Sequence, residues 1–209
     1  MNVLSILGVL AVFLFSVQAD NPQWAQETRL GPYQDAWKSI AQSETTIYAL
    51  AKATYEDNSG SWGRKFRCVV VKETDINTQD YTVTSVFAFK NESEEGKKIF
   101  KFGEKVKAVS TYSYKDKKNA IQYLPDSTES LTDALIFSDG TTCDLFYAPY
   151  ANKPHGGYEL WVNLNNINAI PKHCKFLLDY FRPVDSKVHD IYDGEDCKLV
   201  VEKLKESEK

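Results

Sequence analysis

The sequence has no GxSxG, no HExxH and no glycine-rich loop of the nucleotide-binding kind. The usual signatures of serine hydrolases, zinc peptidases and nucleotide enzymes are therefore missing. Histidine is scarce, with His155, His173 and His189 all in the last third of the chain. The stretch "GSWG" (Gly60–Gly63) offers a serine, but nothing implies a base beside it. An enzyme is not expected, and no cofactor or metal is implied. None of the four cysteines forms a CxxC pair, which speaks against zinc or thioredoxin-type chemistry. Basic charge is not in excess: 25 Lys and Arg stand against 29 Asp and Glu, a formal net charge of -4. Nucleic acid is an improbable partner for such a surface. There is no internal repeat and no low-complexity linker. With 209 residues, 43% hydrophobic and 26% charged, the chain suits one globular domain with a real core.

The start, "MNVLSILGVLAVFLFSVQAD", reads as a secretory leader. Its apolar run of about 15 residues is short for a bilayer span. "VQA" (Val17–Ala19) has small residues where cleavage is usual, although the leader lacks Lys and Arg. Polar sequence begins at Asp20 and no second apolar run follows, so a membrane anchor is disfavoured. The expected division is residues 1–19 as leader and 20–209 as a single domain. Secretion favours disulfides, and Cys68, Cys143, Cys174 and Cys197 allow three pairings. Asn91-Glu92-Ser93 is a sequon, making Asn91 a candidate glycosylation site.

Along the domain, "PYQDAWKSIAQSETTIYALA" predicts a short helix from about Tyr33 to Ser43 and a strand over Thr45–Tyr55. Strand-like runs then recur: "FRCVVVKET", "YTVTSVFAFKN", "KVKAVSTYSY", "NAIQYL", "DALIFSD", "TCDLFYAP" and "YELWVNL". Turn-rich breaks such as "EDNSGSWG", "NESEEG" and "NKPHGG" separate them. This pattern predicts an antiparallel sandwich or barrel. "PKHCKFLLDYFRPV" then reads as an amphipathic helix started at Pro171 and stopped at Pro183. The predicted order is helix, about eight strands, helix and tail. An eight-stranded barrel can hold one small ligand, and a helix packed outside it fits the lipocalin plan.

Several strands carry acids on otherwise apolar faces. In "GGYELWVNL", Tyr158, Leu160 and Val162 share one face, and Glu159 shares the other with Trp161. Asp133 shares a face with Leu131, Leu135 and Phe137, Asp144 with Phe146, and Glu104 with Val106 and Ala108. Burying a lone carboxylate costs on the order of several kcal/mol, so inward acids need partners or a task. The ordinary alternative is that each faces outward, caps a turn or pairs with a lysine. That reading is strong for Glu104, which Lys105 and Lys107 follow directly. For Asp144 the adjacent Cys143 matters: a cysteine bridged to an outer helix would turn Asp144 inward. Together the acids describe a cavity of carboxylates and aromatics. It suits an organic cation, held by charge-assisted hydrogen bonds and by cation–π attraction of roughly 0.5–2 kcal/mol per ring.

"YQDAWKSI" (Tyr33–Ile40), "KATY" with "SWG" (Lys52–Gly63), "CDLFYAP" (Cys143–Pro149) and "GYELW" (Gly157–Trp161) resemble the tick salivary lipocalins, most closely the histamine-binding group, over nearly the whole mature chain. The ordinary lipocalin Gly-x-Trp on the first strand is absent, as is usual in that group. The resemblance implies a mainly β fold: an eight-stranded antiparallel barrel with an N-terminal and a C-terminal helix, and pairings Cys68–Cys197 and Cys143–Cys174. It implies two internal sites for small amines. The upper would draw on Tyr55, Trp62, Glu104 and Glu159, with Asp57 or Asn58 from a loop one residue longer than the family's. Its aromatic lid falls on Leu131, which cannot stack on a ring. The lower would use Ser39, Tyr123, Asp133, Asp144 and Trp161, and its far acid falls on Ser43. The implied partner is histamine, or serotonin if these losses widen the pocket, and the implied state is a secreted, salivary monomer. Two rivals stand beside this reading: a lipocalin for eicosanoids, and an inhibitor that binds complement or clotting proteins.

Overall fold

The computed structural model describes residues 21–58, 61–92, 98–124 and 130–206. The expected leader and Ser93 of the sequon lie outside the described residues. Eight strands form the main wall: β1 (Tyr48–Ala53), β2 (Arg67–Asn77), β3 (Thr82–Lys90), β4 (Phe100–Val109), β5 (Ala120–Tyr123), β6 (Thr132–Ser138), β7 (Cys143–Ala148) and β8 (Gly157–Asn163). Each pairs antiparallel with its neighbours in sequence, and β8 pairs back onto β1, so the sheet closes into a barrel. Leu50 lies opposite Trp161 and Ala53 opposite Glu159 across that seam.

Period-two alternation assigns inner and outer faces. Leu50, Phe87, Val106, Leu135, Phe146 and Trp161 meet inside. Tyr158, Leu160 and Val162 face out and are buried under an outer helix. Two bulges change the phase. One between Leu50 and Lys52 lets Leu50 and Tyr55, five positions apart, both point inward. One between Leu135 and Phe137 keeps Asp133 and Leu135 inside but sends Phe137 to the outer cluster. Phe137 therefore does not share the face of Asp133, as unbroken alternation had predicted.

The N-terminal region is more broken than one helix over Tyr33–Ser43. It comprises a single turn, α1 (Glu27–Leu30), a 3-10 turn at Gly31–Tyr33, and α2 (Ala36–Ile40). Asp35 caps α2 by accepting from the Lys38 amide at 3.3 Å. Ala36 and Ile40 press into the barrel interior and so close one end of it. α3 (Lys172–Phe181) runs from Pro171, and Arg182 is already extended, as a residue before Pro183 tends to be. It packs on β7 and β8 and is tied there by Cys143–Cys174. The expected tail contains a further helix, α4 (Lys198–Lys205). Its Val200, Val201 and Leu204 are buried against β2 and β3, and Cys68–Cys197 fixes its start. Among the described residues no helix is long and apolar enough to cross a membrane.

Candidate ligand-binding site

Glu159 lies on the inner face of β8 with 3% of its surface exposed. Its Oε2 accepts from Trp161 Nε1 at 2.8 Å, a bond that i, i+2 spacing on one strand face makes natural. The Tyr55 hydroxyl donates to its other oxygen. Tyr55 can reach there because position 157 is glycine: a Cβ on Gly157 would lie 2.3 Å from the Tyr55 ring. Asn58 is buried and hydrogen-bonds Tyr55, whereas Asp57 is exposed and accepts from the Lys65 amide at 2.9 Å. The residue of this loop that faces the site is thus Asn58. Trp62 is buried edge-on to Phe87 and Phe89, with centroids 5.1 and 5.4 Å away.

Asp133 is 1% exposed on β6. Burial raises its pKa well above the ordinary range, and the charge of Glu159 adds to this. The Tyr150 and Tyr123 hydroxyls, directed at it, act the other way. Asp144 is 3% exposed on β7, and its Oδ2 accepts from Ser39 of α2 at 2.6 Å. Burial raises its pKa to about 6, with the nearby Ser138 and Ser39 hydroxyls opposing. Among the described residues, Oδ1 of Asp133 and Oδ1 of Asp144 have no hydrogen-bond partner. Burial also raises Glu159, against its bonds from Tyr55 and Trp161. Glu104 is half-buried on the inner face of β4, and burial raises it too. Its neighbours Lys105 and Lys107 fall on the opposite strand face, and among the described residues Glu104 makes no ion pair with either.

The barrel contains a cavity of about 50 Å³ lined by Ser39, Tyr123, Asp133, Asp144, Phe146 and Trp161 among others. One ordered water needs about 10–15 Å³ on the same measure, so this is room for a handful of waters or one small organic molecule. None of the ion pairs among the described residues involves Asp133, Asp144 or Glu159. Leu131 packs against the inner cluster, and Ser43 sits exposed in a turn with Thr45. The structure thus brings together Ser39, Tyr123, Asp133, Asp144 and Trp161 around one cavity, and Tyr55, Asn58 and Trp161 around Glu159. Asp57 joins neither.

Two residues escaped the sequence reading. Glu73 on β2 lines the same cavity, 9% exposed, and accepts from Ser85 Oγ at 2.7 Å. Its signal was present, because Val69 and Val71 precede it on one strand face. Tyr150 follows β7 in a turn, where no periodicity marks direction. The Asn91 amide nitrogen donates to the Trp62 carbonyl at 2.8 Å and packs against Gly63. Asp139, Cys143, His173 and Cys174 also converge, but both thiols are in the disulfide, leaving a His173–Asp139 ion pair at 3.3 Å.

Residues 24–199 match the family described as tick histamine binding protein. The chain belongs to that family. Two relatives from Rhipicephalus appendiculatus illustrate the kinship. A male-specific histamine-binding salivary protein is 34% identical over 197 residues, covering 92% of this chain and 96% of the relative. A female-specific histamine-binding protein 1 is 36% identical over 200 residues, covering 93% and 96%. In solved structures, the AM182 serotonin complex superposes with a TM-score of 0.54 at 20% identity, covering 79% of this chain and 93% of that one. Lobster H1 crustacyanin (Homarus americanus) gives 0.56 at 10% identity, covering 88% and 98%. These two likenesses establish the barrel fold.

Proposed function

We propose that this member of the tick histamine-binding family is a secreted monomeric scavenger. It captures a small cationic amine, histamine or serotonin, inside the barrel and performs no chemistry on it. Released in saliva, it would lower the free amine available to host receptors. The observation that carries this reading is a set of buried carboxylates, Asp133, Asp144 and Glu159, that no protein cation neutralises among the described residues. An ammonium supplies the missing charge, and the free Oδ1 atoms of Asp133 and Asp144 accept its N–H groups. Trp161, Tyr123 and Trp62 supply ring faces for cation–π contact. The upper acid, Glu159 with Tyr55 and Asn58, and the lower acids, Asp133 and Asp144 with Ser39, are the anchors.

Histamine has about eight heavy atoms, and the best tiny ligands reach at most ~1.5 kcal/mol per atom. The ceiling is about 12 kcal/mol, or roughly nanomolar affinity. Calorimetric titration with histamine, serotonin and a leukotriene tests the assignment. Saturable binding of an amine is expected. Saturable binding of the leukotriene with no amine binding would overturn it in favour of a lipid carrier.

A further inference from the structure

The cavity holds a third carboxylate besides Asp133 and Asp144. Glu73 enters it from β2, while Asp133 and Asp144 enter from β6 and β7. We propose that Glu73 is a second anionic anchor that makes this cavity a site for a doubly charged amine, one end held by Asp144 and Asp133 and the other by Glu73. The proposal rests on the amine-binding reading above and specifies its substrate class.

The geometry supports it in three ways. Glu73 is nine-tenths buried and lines the same cavity as Asp133 and Asp144, whose Oδ1 atoms have no hydrogen-bond partner among the described residues. Its one hydrogen bond among the described residues comes from Ser85, which orients the carboxyl and leaves acceptor capacity for a guest. β2 lies across the closed barrel from β6 and β7, so Glu73 sets negative charge on the side of the cavity away from Asp133 and Asp144. Facing groups that titrate or carry charge are Tyr48 from β1, Glu104 beside Ser85 on β4, Tyr123, Asp133 and Asp144. Lys72 also contributes to the wall but makes no ion pair among the described residues with these acids. Burial keeps the Glu73 carboxyl protonated up to about pH 8 in the empty protein. An ammonium placed against it would expel that proton.

The test compares putrescine and cadaverine with butylamine and pentylamine, histamine serving as the reference ligand. Calorimetry in buffers of different ionisation enthalpy reads affinity and proton release together. In the unmodified protein the diamines are expected to bind about tenfold or more tighter than the monoamines of equal length and to release protons at neutral pH. Glu73→Gln should erase that advantage and lower the proton release of the diamines toward that of the monoamines. Equal affinity of diamine and monoamine in the unmodified protein, with histamine still bound, overturns the role of Glu73 alone. Failure of every amine, histamine included, overturns the amine reading itself. The comparison within the unmodified protein stands even if Glu73→Gln folds poorly.

Discussion

Acidification should weaken amine binding by an amount that counts the carboxylates engaged. A cation binds the ionised form, so affinity follows the fraction of each anchor that is ionised in the empty protein. Asp144, with a pKa of about 6, is about ten-elevenths ionised at pH 7 and about one-eleventh at pH 5, a loss of about tenfold. Glu73, at about 8, falls from about one-eleventh to about one-thousandth over the same range, a further loss of about a hundredfold. A ligand anchored on Asp144 alone should therefore weaken about tenfold, and one anchored on both about a thousandfold, or about 4 kcal/mol. Alkyl amines are the right probes, because their ammonium stays charged throughout and contributes no titration of its own. Isothermal calorimetry at half-unit steps of pH gives the curve directly. An affinity flat from pH 7 to pH 5 would refute ionised carboxylates as the anchors.

The same groups set the pH dependence of the empty fold. Asp144 and Glu73 bind protons more tightly folded than unfolded, so their contribution is full below the ordinary carboxylate range and is lost as pH rises through about 6 and about 8. The melting temperature without ligand should accordingly rise between pH 8 and pH 6, by scanning fluorimetry, and a steady fall over that range would contradict the assignment. Glu159→Gln should cost an amine about tenfold or more in affinity, while Asp179→Asn on exposed α3 should change nothing; equal effects would remove Glu159 from the site. Gly157→Ala would drive the Tyr55 ring off Glu159, since the new Cβ would sit 2.3 Å from it, and binding should fall with it. Removing Cys143–Cys174, which spans 31 residues, should destabilise the protein by about 4 kcal/mol in a denaturant titration, from loop-closure entropy.

Strand alternation was legible wherever the strands are regular. Glu159 with Trp161 and Asp144 with Phe146 face inward as their spacing requires, and the bridged Cys143 fixes the phase of β7 as expected. Alternation failed where a bulge intervenes. Counting by twos from Leu50 sends Tyr55 outward, and counting from Asp133 sends Phe137 inward, yet both are reversed by one extra residue in the strand. Nothing in "LAKATY" or "DALIF" marks that residue. Asp57 against Asn58 was undecidable because their two-residue strand, paired with Gly63–Arg64, takes its direction from the hairpin and not from any apolar pattern. α4 was overlooked because its apolar positions, Val200, Val201 and Leu204, span only a turn and a half and gain meaning only from the β2–β3 surface beneath them.

Glu73 is the instructive omission, because its alternation was plain and its partner was not. A buried acid beside a lysine in sequence, Lys72, looks paired, but neighbours on a strand point to opposite faces and cannot meet. What decides its state is Ser85 on the adjacent strand and the absence of any cation bonded to it among the described residues. A hydroxyl stabilises a carboxylate far less than an ammonium does, so the empty barrel tolerates Glu73 by keeping it neutral. The interior thus holds protons where it would otherwise hold unbalanced charge. Exchange of a proton for an organic cation leaves the net charge of the cavity nearly unchanged. On the proposed reading, that exchange would let one fold both survive empty and take up a charged guest.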